Sequence, residues 1–200
     1  MDISSREMAH ENLQYIRKTL DAAGRFTAVP GKGLMAAGVT AFSGIAFNLL
    51  FTGAPWVDGP RQQLALETWG AVLILSVAIV SYGIYRKSRL TGTRLRGPLL
   101  RKLLWSLCPA LFVGAILTHL AVRTNHLDWL PAIWLGCYGA AITNGSLVSV
   151  APVRYLGLSL LTAAAAAVLS PPHLGLVWLA FGFGWLHLCF GAYIAWGHNG

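Results

Sequence analysis

The chain has 200 residues, of which 56% are hydrophobic and only 11% charged, whereas ordinary soluble domains are about a quarter charged. That balance excludes a soluble globular domain. A formal net charge of +8 is compatible with nucleic acid, but the cations flank long apolar runs rather than forming an arm or a patch, so nucleic acid is excluded and the partner implied is a lipid bilayer.

Residues 1–32 form the only extended polar part of the chain. Ser4 followed by Glu7 resembles a capping box. Met8, Leu13, Ile16, Leu20 and Ala23 then share one helical face, with His10, Gln14, Arg17, Lys18 and Asp21 on the other. Gly24 is a natural stop. This pattern predicts a cytoplasmic amphipathic helix lying on the membrane surface or docked on the bundle. The turn Pro30-Gly31-Lys32-Gly33 leads into the membrane; it lacks the GxxxxGK[ST] spacing of a phosphate loop. No cleavable leader is expected, because no short apolar core sits near Met1.

Residues 33–200 carry six apolar segments, at about Gly33–Phe51, Thr68–Tyr85, Leu103–Val122, Trp129–Ala151, Val153–Leu169 and Leu174–Trp196. Most reach the roughly 20 residues that a helix needs to cross hydrocarbon. The expected fold is all-α: an integral membrane bundle of six transmembrane helices preceded by the amphipathic helix. The loop between the second and third segments holds Arg86, Lys87, Arg89, Arg94, Arg96, Arg101 and Lys102. Such a loop stays cytoplasmic, which places both termini inside and leaves only Arg61 and Arg123 on the outer side. Trp56, Trp69 and Trp129 then mark the outer interface, and Tyr85, Trp105 and Trp196 the inner one. Small size, short loops and the missing leader suggest a bacterial inner membrane.

Small residues indicate the packing faces. Gly33, Ala37, Ala41, Gly44 and Asn48 form a stripe on the first span, and Ala180, Gly184, His187, Gly191 and Ala195 one on the sixth. Stripes of this kind let backbones approach closely in lipid, so these two spans are expected at the centre of the bundle. Cys108, Cys137 and Cys189 lie inside apolar segments without a CxxC and read as packing residues. Pro109 and Pro152, with Gly136, Gly139 and Gly145, are the expected points of helix interruption.

His187 carries the most functional information. It lies thirteen residues into the last span, or ~20 Å below the outer surface, where an imidazole facing lipid is costly. Thr143, Asn144 and Ser146 reach a comparable depth on the fourth span, and with Asn48 they complete a polar pocket around His187. A small-solute or ion pathway, or a subunit of a larger membrane complex, is the leading reading, with other subunits or further copies of the chain as partners. An intramembrane hydrolase is the alternative, with His187 as general base for the Ser146 hydroxyl. Six spans, a serine after Gly145 and a histidine ahead of a glycine resemble rhomboid proteases. The serine stands in NGSL rather than G-x-S, however, and the histidine in HLCFG. The second alternative is an outer-face metal site from Glu67, His119, His126, Asp128 and His173, whose side chains are zinc-compatible but lack a ligand motif. Haem ligation by His119 and His187 is excluded by a depth difference of ~15 Å. The sequence identifies no cofactor.

Overall fold

The computed structural model describes Asn12, Leu13, Tyr15 and residues 29–52, 61–91 and 98–197. Apart from those first three residues, which are helical and exposed, the amphipathic segment lies outside the described residues, as do Trp56 and the middle of the basic loop. Everything described is helical or in short connections. The helices are α1 (Gly31–Phe51), α2 (Gln62–Thr91), α3 (Pro98–Arg123), α4 (Leu130–Gly145), α5 (Ala151–Leu169) and α6 (Pro172–Gly197).

Five of the six are long and apolar enough to cross a membrane; α4 is the exception. Its 16 residues span ~24 Å, short of the ~30 Å hydrocarbon core. The apolar run at Trp129–Ala151 thus overstates the helix. The chain leaves α4 through a 3-10 turn at Ser146–Val148 and an extended residue at Ser149, because Pro152 requires a fresh helix start and occupies the first turn of α5. In contrast, α2 has 30 residues and α3 has 26, both longer than their apolar cores predict. Pro109 stands inside α3 without interrupting it.

The centre of the bundle is a pair of close helix contacts. Gly31, Met35, Gly38 and Phe42 of α1 meet Ala195, Gly191, Leu188 and Gly184 of α6 in antiparallel order. A Cβ on Gly38 would stand 2.9 Å from the carbonyl oxygen of Gly184, and one on Gly191 would stand 2.8 Å from the carbonyl of Gly31. The expectation that these helices meet through small residues holds, with a change of face on α1. Gly33 and Gly44 turn to α2 instead, towards Val80 and towards Val72 and Thr68. The second close pair is α4 with α5, where Gly136 faces Ala164, Gly139 faces Leu160, and Gly157 meets Thr143.

Helices α2 and α3 are outriggers. One packs along α1, the other along α4, and they share no extended interface. Their remaining surfaces are strongly apolar, with Leu73, Ile74, Val77 and Tyr82 on α2 and Phe112, Val113, Ile116 and Leu120 on α3 all exposed. Exposed apolar area on this scale suits a polytopic membrane protein and not a soluble one.

At the end where α1 finishes, Arg61 donates to the Phe51 carbonyl at 2.6 Å, and Gln62 reaches Asn125. There α3 stops without a glycine. Asn125 adopts φ 59°, and the amides of Asn125 and His126 turn back to the carbonyls of Val122 and Ala121, the paired bonds of a Schellman stop with asparagine in the left-handed position.

Candidate functional site

His187 is 4% exposed, as its place on the small-residue stripe requires. The helix carrying it widens into a π segment at Ala180–Leu186, immediately before the histidine. Its ring Nδ1 lies 2.9 Å from the carbonyl oxygen of Gly182, five residues back. A carbonyl only accepts, so Nδ1 carries the hydrogen. In the neutral ring Nε2 is then an acceptor, and the Tyr138 hydroxyl, 3.1 Å away, donates to it. A side chain bonded into the helix ladder is a recognised cause of local distortion, and π segments concentrate at functional positions. A Cβ at Gly182 would meet the Cδ2 methyl of Leu135 of α4, so a larger residue there requires that side chain to move.

Aromatic rings surround this contact. Tyr138 stacks on His187 with centroids 5.6 Å apart and planes 24° apart. Phe183 lies 5.5 Å from Tyr138 and 6.0 Å from His187. Trp69 continues the cluster, 6.4 Å from Phe183 and 6.1 Å from Trp134. The Trp134 indole N–H donates to Thr118 of α3 at 2.9 Å, so four helices converge on one aromatic core. Trp69 was expected at the outer interface and is instead 5% exposed within this cluster. Trp129, Trp105, Tyr85 and Trp196 are exposed.

The residues expected around His187 do not form one pocket. Asn48 is fully buried near the end of α1, where its side-chain amide donates to Thr52 Oγ1 at 2.8 Å. That is the Arg61–Asn125 end of the bundle, whereas Ser146 lies at the opposite end of α4. Thr143 Oγ1 donates to the Gly139 carbonyl at 2.8 Å, and Asn144 is exposed. Ser146 is buried, but its hydroxyl donates to the Thr143 carbonyl at 2.6 Å. No hydrogen bond joins Ser146 to His187. The reason is register: His187 pairs with Tyr138, eight residues and ~12 Å along the helix before Ser146. The two residues do not share a depth.

The outer-face set is also dispersed. Glu67 accepts from Gln63 at 2.8 Å. His126 stacks on Trp129 with planes 4° apart and centroids at 4.3 Å. His119 and His173 are exposed, and Asp128 is half-buried in the turn that starts α4. Among the described residues no three His, Cys, Asp or Glu are placed to hold a metal ion.

Tyr138 is the residue that sequence reasoning did not single out. The available signal was its position: a tyrosine in mid-span, away from either interface, needs a hydrogen-bond partner for its hydroxyl. Comparison with known proteins finds no matching family model, no similar curated sequence and no similar solved structure.

Proposed function

We propose that this chain is a non-enzymatic, six-span protein of a bacterial inner membrane, with both termini cytoplasmic, and that it conducts a small solute or protons past the His187–Tyr138 contact. The observation that carries the reading is that contact itself: a titratable pair in an apolar interior, next to a π segment, with no carboxylate beside it among the described residues. Opening it breaks one hydrogen bond worth about 1 kcal/mol and frees both Nε2 and the Tyr138 hydroxyl for a passing solute. A span count of six requires α4 to cross with the help of its flanking 3-10 turns. The test is flux into proteoliposomes, read with a proton-sensitive dye and by osmotic shrinkage with small neutral and cationic solutes. Flux above empty vesicles, changed severalfold by Tyr138→Phe, is expected. Vesicles as tight as empty ones to every probe overturn the reading.

A second reading, as a subunit of a larger membrane complex, is favoured by the one-sided packing of α3, which rests on α4 and leaves Leu111, Phe112 and Ile116 outward. Native mass spectrometry of protein taken gently from its own membrane separates the two. A stoichiometric companion chain supports the subunit; a bare chain that retains flux supports the pathway.

A further inference from the structure

The two ends of α6 are fixed in a way that its middle is not. Past His187, Gly191 and Ala195 lie against the backbone of Gly31 and Met35 on α1. The Gly184 carbonyl rests on Gly38 of the same helix, so the fixed half begins there. At the other end, Leu176 and Leu179 are buried, and the Trp178 indole donates to the Ser170 hydroxyl at 3.0 Å. Between these anchors lies the first part of the π segment Ala180–Leu186. It meets α4 and α5 at Gly182, where a Cβ would touch only the methyl ends of Leu135 and Leu160. Side-chain ends can change rotamer, which a backbone neighbour cannot do. The His187 ring bridges the fixed half and this stretch. Its Nδ1–H holds the Gly182 carbonyl at 2.9 Å, while Nε2 accepts from Tyr138 of α4.

We propose that the wide turn of α6 is a movable gate, latched in its present place by His187. When a solute takes the place of Tyr138 at Nε2, the ring is drawn off the Gly182 carbonyl and the wide turn moves toward Gly175. A π turn encloses one residue more than an α turn, so the residues that it passes rotate by about one residue, or ~100°. The extra residue moves and is not lost, and both anchored ends therefore keep their faces. Phe183, which packs against Tyr138, His187 and Trp69, turns away and clears the space beside Nε2. Phe181 gives up its edge contact with Trp178 and turns inward. The exchange is apolar for apolar, and lipid imposes no hydrophobic penalty on the ring that leaves. The freed Gly182 carbonyl accepts from the Leu186 amide, its partner in a regular α turn, so no backbone group is stranded in the membrane. The role as a gate rests on the solute pathway proposed above; the latch and the movable turn do not.

The test reads the helix face and not only flux. The full chain, with Cys108, Cys137 and Cys189 replaced by alanine, is reconstituted in lipid vesicles with a nitroxide introduced by Val177→Cys, Phe181→Cys or Tyr193→Cys. All of these positions are exposed. Collision of each label with dissolved oxygen is measured by electron paramagnetic resonance, with and without His187→Leu. Loss of the latch should lower the collision rate at 181 severalfold and leave 177 and 193 unchanged. Tyr138→Phe keeps the Gly182 bond, so it should move the label at 181 in the same direction by less, and it carries the test where His187→Leu does not fold. A label at 181 that stays as it is in both variants overturns the proposal. So does an equal change at 177, 181 and 193, which would mean general loosening of the bundle. Flux is read on the same vesicles. A label that turns in vesicles passing no probe supports the latch and sinks the pathway, whereas flux with a label that never turns sinks the latch and leaves the pathway.

Discussion

Gly191 of α6 and Gly31 of α1 approach so closely that a methyl group on Gly191 would stand 2.8 Å from the Gly31 carbonyl oxygen and as close to the amide nitrogen of Met35. Both obstacles are backbone, which cannot swing aside as a side chain does. Without a hydrophobic effect between helices in lipid, such close approach is the main source of association. Gly191→Ala should therefore force α1 and α6 apart and destabilise the bundle by about 1–3 kcal/mol, the usual range for overpacking. Gly70 of α2 has nothing within 4 Å of where a Cβ would lie, so Gly70→Ala should be neutral or stabilise by up to about 1 kcal/mol through helix propensity. Unfolding of both variants in mixed detergent micelles checks the pair. Equal losses would mean that the α1–α6 contact is not what holds the centre together.

The Tyr138–His187 bond is suited to a double-mutant cycle, because each side chain can be truncated separately. Tyr138→Phe removes the donor to Nε2 and keeps the ring stacking. His187→Ala removes both the acceptor and the bond to Gly182. Interhelical hydrogen bonds in membranes average about 0.6 kcal/mol and reach about 1.7, and the stacking that phenylalanine keeps cancels in the cycle. A coupling energy of about 0.6–1.7 kcal/mol is expected, measured by unfolding the two single variants and the double variant. A coupling near zero would show the two residues to be neighbours without an energetic link.

Much of this arrangement was legible in the sequence. Apolar run lengths found the helices, and small residues at helical spacing identified α1 and α6 as partners and turned His187 inward. Register was not legible. Periodicity assigns a residue to a face of its own helix but does not say how far one helix slides along another, so Ser146 and His187 looked level while Tyr138 was the true partner. Trp69 has the composition of an interface residue, and only the tertiary meeting of α2, α4 and α6 makes it core. The π segment was hidden because it depends on a side-chain bond from His187 to Gly182 and on the tight passage of Gly182 past Leu135, neither of which is a local propensity. The end of α4 was missed because Leu147, Val148 and Val150 keep the stretch apolar after helical geometry has ended at Gly145.

Thr118 links the outrigger α3 to the core. Its hydroxyl donates to the Gly114 carbonyl at 2.7 Å while accepting from the Trp134 indole at 2.9 Å. Thr118→Val keeps the shape and removes the acceptor, leaving a half-buried indole N–H without this bond. A loss of about 1 kcal/mol is expected. The change should concentrate in α3, giving faster amide exchange over Pro98–Arg123 with little change over α5. Uniform acceleration across all helices would contradict a local tether.

Ser146→Ala distinguishes a structural serine from a nucleophile. The Ser146 hydroxyl is committed to the Thr143 carbonyl, where it closes the last turn of α4, and His187 has both ring nitrogens engaged elsewhere. The variant should therefore fold, lose no more than about 1 kcal/mol, and keep wild-type flux in the proteoliposome assay. A fluorophosphonate probe should label neither protein, because a serine without a hydrogen-bonded base is a weak nucleophile. Labelling of the wild-type chain that disappears in Ser146→Ala would restore the hydrolase and require that α4 slides by about two turns to bring the hydroxyl to His187.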